Sequence, residues 1–267
     1  MDSRFVEAFV NWYLILIDIL LVLGIIYFLK LPKEKRANSF YWLPFLILSF
    51  TVFYENLGAY TLYDFEFRKA ANAFLGNTEN PRFNIWIFNI GNKHISTILF
   101  LFLIKSWLEP YKKKYVNWMI ITFFIVILIL QFSGIEPVYL NQPLIFTFGA
   151  NLILLGSGLY FIGLMTNEQY LSVNPLRLLS FWQMTFILFT YSLTYISSAS
   201  LMYLYTNYPQ LLASLLKIDW VMGVLNLAIL VLTVASPRFP HLFEREPYFE
   251  FKQSKNTEKV PDLSPQI

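Results

Sequence analysis

Seven stretches of about 20 predominantly apolar residues run through this chain, each long enough to cross the hydrocarbon of a bilayer as a helix. They fall at roughly 9–29, 41–63, 84–106, 115–133, 143–165, 177–204 and 216–236. A soluble bundle of seven buried helices would need a polar outer face, and none of these stretches carries one. Composition agrees: 57% of the 267 residues are hydrophobic and only 14% charged, against about 25% charged in a soluble domain. The sequence therefore predicts an all-α, polytopic seven-helix bundle over 1–236, with a short tail at 237–267.

The punctuation of the chain supports those spans. The prolines lie between spans, in the tail or within a first helical turn, where a missing N–H costs little. Trp12, Trp42, Trp86, Trp107, Trp118, Trp182 and Trp220 each fall near the end of a span, where an amphipathic ring suits the headgroup zone. The first span has the acidic flank Asp2 and Glu7, contains Asp18 and lacks a small-residue cleavage site. It is expected to be retained rather than removed as a signal peptide. Fourteen Lys and Arg fall on the loops after spans one and three, at Arg177 and on the tail, against five on the other side. That bias predicts the N-terminus outside and the C-terminus in the cytoplasm, as in a multi-pass protein of a bacterial inner membrane. On the outer side, 64–83 carries Phe65, Phe67, Phe74 and Leu75. They predict a short helix resting on the bilayer surface, either as a plain anchor or as a lid.

The scarce intramembrane charge is the informative part. An ionisable side chain inside a span calls for a partner. Asp18, Glu55 and Lys93 all come to a depth of roughly 12–14 Å below the outer surface, at about 1.5 Å per helical residue. Asn151 and Asn226 reach that depth as well. In span three, Asn89, Asn92, Lys93 and Ser96 have the i, i+3, i+4, i+7 spacing of one helix face. In span six, Thr194 and Ser198 belong to a hydroxyl stripe with Tyr191 and Tyr195. Two readings stay open. One is an outward-opening polar pocket, with Lys93 opposed to Asp18 and Glu55, that binds a small polar ligand or relays protons. The other is a satisfied network that only holds the bundle together. Gly149, Gly156 and Gly163 recur every seven residues in span five and predict close helix packing.

Catalytic machinery is hard to find. There is no cysteine, and the two histidines are His94 and His241, the second in the tail. No HExxH, GxSxG or phosphate-cradling glycine loop occurs. The expectation is a protein that is not an enzyme and takes no metal or other cofactor. A net charge of +3, with no basic domain, argues against nucleic acid as a partner.

Spans two and three read FLILSFTVFYENLGAY and NPRFNIWIFNIGNKHISTILF, span six opens PLRLLSFWQMTFILFTYSL, and span seven contains WVMGVLNLAILVLTVAS. With Glu55, Asn84, Asn89, Phe181, Trp182 and Asn226 as the matching positions, this pattern resembles seven-helix inner-membrane proteins of Bacteroidota. It is also loosely similar to the sensor portion of seven-helix histidine kinases, without a kinase after the last span. The resemblance implies a receptor-like or partner-binding protein. Its basic loops and tail would meet the lipid bilayer and a membrane or cytoplasmic protein partner. A transporter of small polar solutes, and a scaffold or accessory subunit of a larger complex, are the other readings.

Overall fold

A computed structural model describes residues 3–199, 201–244 and 246–247. Among them there is no strand. Six helices are long and apolar enough to cross a membrane, so the chain is an all-helical, multi-pass membrane protein. They are α1 (Trp12–Leu29), α2 (Ser39–Tyr63), α3 (Ile85–Trp107), α4 (Lys113–Phe132), α5 (Pro143–Thr166) and, after the next helix, α7, which begins at Pro209. Between them runs α6 (Leu179–Ala199), of similar length but carrying Gln183, Thr185, Thr190 and Thr194.

The polarity of α6 has a physical reason. It packs most extensively against α7 and α5, and within 179–196 only Phe189 and Ile196 are exposed. A helix enclosed by other helices need not be apolar all round, provided its polar groups find partners. By contrast α1 and α4 lie at the edge of the bundle and leave most of their surface uncovered. The core is continuous, running from Ile17 and Ile47 through Leu101, Ile104 and Phe123 to Ile153, Met184 and Leu230.

Two helix starts differ from the sequence expectation. Asn11 breaks the first apolar stretch: its Oδ1 accepts from the Leu14 N–H at 2.9 Å. Such a cap begins a new helix, so α1 starts at Trp12 and a separate helix, Ser3–Phe9, packs against the end of α2. At the other end, α7 is a helix of 27 residues, Pro209–Ala235, that starts well before position 216. Pro209 takes its first position, where a proline is tolerated.

The glycines of α5 do pack closely. A Cβ on Gly149 would lie 2.9 Å from the Phe123 ring, and one on Gly156 would lie 3.3 Å from Ile104, so α3 and α4 approach α5 along that line. The stretch 64–83 does form a short helix, Phe65–Phe74, capped by Asp64. The buried Asn72 pins the rest of the loop by donating to Phe83 O at 2.6 Å and receiving from Asn77. Of the predicted tail, 237–244 and 246–247 are described, and they fold back onto the start of α6 through Arg177 and Ser180.

Candidate functional site

The half of the bundle that carries the N-terminus encloses a cavity of about 600 Å³ between α1, α2, α3, α6 and α7. Each helix contributes polar atoms to it. From α2 comes Glu55, whose Oε1 is reached by the Tyr13 hydroxyl of α1 at 3.4 Å. From α7 comes Asp219, whose Oδ1 lies 2.6 Å from the Thr194 hydroxyl of α6. That same hydroxyl lies 2.8 Å from Thr190 O, so its single proton is shared between two acceptors. Asn226 is only 4% exposed, and its Oδ1 has no hydrogen-bond partner. Asn92 of α3 completes the polar lining. At one wall, Trp12 and Trp220 meet edge to face at 6.2 Å, and Tyr13 stacks on Trp220 at 6.3 Å. Among the described residues, no Lys, Arg or His lines the cavity.

The polar residues singled out in the sequence divide into several groups. Glu55, Asn92, Thr194 and Asn226 line the cavity. Asp18 does not: it accepts from Asn56 Nδ2 at 2.8 Å, between α1 and α2. Lys93 is not opposed to Asp18 or Glu55; it donates to Asn141 Oδ1 at 2.8 Å, on the loop that leads into α5. Asn89 holds that loop too, donating to Val138 O at 2.7 Å, and His94 meets Gln142 at 2.8 Å. Ser96 is buried away from the cavity. Asn151 is exposed on the outside of α5 and donates to Thr147 O of its own helix. The side chain of Ser198 lies outside the described residues.

One local feature accounts for the division of span three. Residues Asn89–Ser96 wind as a π-helix. Its i→i+5 hydrogen bonds widen the turn, so residues spaced for one α-helical face no longer share it. Asn92 turns to the cavity, while Asn89, Lys93 and His94 turn to 138–142.

Asp219 is the residue that sequence reasoning missed. With the last span begun at 216, an acid at 219 reads as a surface residue at the helix mouth. With α7 begun at Pro209, it lies ten residues along the helix. Pro209 was the available signal, since proline favours a first helical position.

In the opposite half of the bundle, several buried polar groups close on one another. Trp107 Nε1 donates to Gln183 Oε1 at 2.7 Å, and Gln183 Nε2 donates to Thr233 Oγ1 at 2.5 Å. The Glu109 and Lys112 side chains pair at 3.0 Å, and Asn167 donates to Glu109 at 3.0 Å. Burial alone would raise Glu109; the donors on Tyr111, Asn167 and Lys112 outweigh it and hold the carboxyl below its ordinary value. Beside them, Glu246 of the tail accepts from Ser180 N at 2.9 Å and from Ser180 Oγ at 2.7 Å. Tyr160 meets the same Ser180 hydroxyl at 2.6 Å. Burial pushes Glu246 up to about 7, against the pull of the donors on Ser180 and Leu179. Arg177 fixes the tail from the side, through Glu244 Oε1 at 3.2 Å and His241 O at 2.9 Å.

The fold and its interior thus define a helical membrane protein with an acidic, aromatic-walled cavity in one half and closed polar networks in the other. No family model matches this chain, and no curated protein or solved structure is significantly similar to it. Among the described residues, no group of three or more His, Asp and Glu is placed to hold a metal ion.

Proposed function

We propose that this is a receptor-like, non-enzymatic membrane protein that holds a small polar ligand in the cavity of its N-terminal half. In this reading α6 is a further crossing, giving seven. The N-terminus and the cavity then face outward, and the basic loops and tail face the cytoplasm, where they meet anionic lipid or a protein partner. The observation that carries the reading is a cavity of about 600 Å³ lined by two acids, Glu55 and Asp219, with no Lys, Arg or His among its described lining residues. Buried charges are normally paired, and two acids on one cavity wall without a basic partner call for an occupant.

The chain has no cysteine of its own, so a single introduced thiol reports access cleanly. Gly223 lines the cavity, and a Cβ there would meet no neighbour within 4 Å. Gly223→Cys should react with a membrane-impermeant thiol reagent from the outer side alone. Reaction from both sides, in alternation, would replace the receptor with a transporter. No reaction from either side would leave a closed scaffold and end the ligand reading.

A further inference from the structure

We infer that the occupant of the cavity is a small organic cation, an amine or a quaternary ammonium group, held between Glu55, Asp219 and the Trp12–Trp220 wall. The inference rests on the ligand-binding reading above and adds the chemical class.

Charge is the first reason. Two carboxylates line one cavity, and none of its lining residues is Lys, Arg or His. A carboxylate withdrawn from water needs a counter-charge and about four hydrogen bonds to fill its lone pairs. Here Glu55 receives the Tyr13 hydroxyl and Asp219 shares the Thr194 hydroxyl. Both acids are left with acceptor capacity facing the cavity.

The second reason is the sense of the remaining polar groups. The acid oxygens facing the cavity outnumber the hydroxyl donors held to them, one from Tyr13 and one that Thr194 shares with Thr190 O. Surplus acceptors of this kind ask for a ligand that donates. An anion would meet the two acids and, among the described lining residues, no positive charge.

The third reason separates an organic cation from a metal ion. Hard metal ions take six to eight oxygen ligands, or keep their own water. Among the described residues no three His, Asp or Glu are grouped to hold one, and this cavity has a wall of indole and phenol rings: Trp12 against Trp220, with Tyr13 stacked on the latter. Ring faces attract a weakly hydrated ammonium, and Trp does so best. A volume of about 600 Å³ suits a molecule of several heavy atoms, well above a single ion.

The test uses the full chain in detergent with Gly223→Cys as reporter and four probes. Two are cations, choline and 2-phenylethylammonium. Two are their uncharged counterparts, 3,3-dimethylbutan-1-ol and 2-phenylethanol. At least one cation should slow thiol labelling about tenfold at saturation, while its uncharged counterpart leaves it unchanged. Asp219→Asn and Glu55→Gln should each raise the half-protecting concentration about tenfold, the scale of one lost charge contact. Elution with the wild-type volume in size exclusion shows that each variant is folded, and Trp12→Leu serves as a second variant if an acid substitution is not. A reactive thiol protected by neither cation, or protected equally by the uncharged counterpart, overturns the cation and leaves the cavity. A thiol that never reacts removes the ligand-binding reading itself, and the cation with it.

Discussion

The two halves of the bundle handle buried polarity in opposite ways. In the half that carries the N-terminus, Glu55 and Asp219 line an open cavity, with one hydroxyl held to the first and one shared hydroxyl held to the second. In the other half, Trp107, Gln183 and Thr233 form a chain in which each donor meets an acceptor. There Glu109 has both a lysine and an asparagine. Both halves are built from the same helices, α3, α6 and α7, although α7 is buried mainly over 226–235, toward the closed half. The difference is whether polar side chains are turned toward each other or toward a shared space. Fully satisfied networks rigidify a core, whereas unsatisfied groups are retained at a cost in stability. Under the proposed function the closed half serves as the anchor and the open half holds the ligand.

Substitutions should therefore have opposite signs in the two halves. The largest effect belongs to Gln183→Ala, which leaves buried Trp107 Nε1 without its acceptor and opens a void. It should cost about 3 kcal/mol of stability, read as a lowered midpoint of thermal unfolding in detergent. An unchanged midpoint would erase the contrast between the halves.

Next is the tail. The ordinary value for a glutamate is 4.5, and burial pushes Glu246 up to about 7. Between those values the docked tail keeps a proton that the released tail has lost, so docking is strongest below the lower value. It weakens as pH rises and changes no further above the upper value. From pH 5 to pH 8 the loss should be about 2 kcal/mol. A spin label on Leu242→Cys, an exposed position, should become more mobile over that interval. The same label in a Glu246→Gln chain should respond flatly, and a flat response in the native tail would remove the titration.

In the open half the sign reverses. Asp219→Asn and Glu55→Gln each remove a charge that has no protein counter-ion, so in ligand-free protein each should raise stability by about 1 kcal/mol. A fall of the size seen at Gln183 would mean the acids are structural. The smallest effect belongs to Asn151, exposed on the outside of α5. Asn151→Leu should shift the unfolding midpoint by no more than the equivalent of about 0.5 kcal/mol.

Much of the architecture was legible from hydrophobic length alone, because backbone in lipid must satisfy its own hydrogen bonds and long apolar runs leave helices as the simplest answer. The boundaries that failed were set by single side chains. Asn11 caps α1, and Pro209 starts α7. The site was half legible. Glu55, Asn92, Thr194 and Asn226 announce themselves as polar groups in apolar runs, and all four line the cavity. Asp18 and Lys93 announce themselves in the same way, yet they meet Asn56 and Asn141. Nothing in one-dimensional spacing distinguishes an acid facing a cavity from one facing an asparagine on the next helix. The seven-residue glycine spacing carried further, because close approach depends only on the absence of side chains along one line.

The π-helical winding of Asn89–Ser96 has a consequence for how this bundle can change. It acts as a phase slip in α3: the segment before it and the segment after it each keep their own facing. The cavity contact of Asn92 and the Gln183 contact of Trp107 are thereby set independently along one continuous rod. Removing one residue from the slip would convert it toward ordinary α-winding and rotate one end against the other by about 100°. Either the grip on 138–142 or the anchor at Gln183 would then be lost. The gearing of the two halves to each other is carried by a single surplus residue.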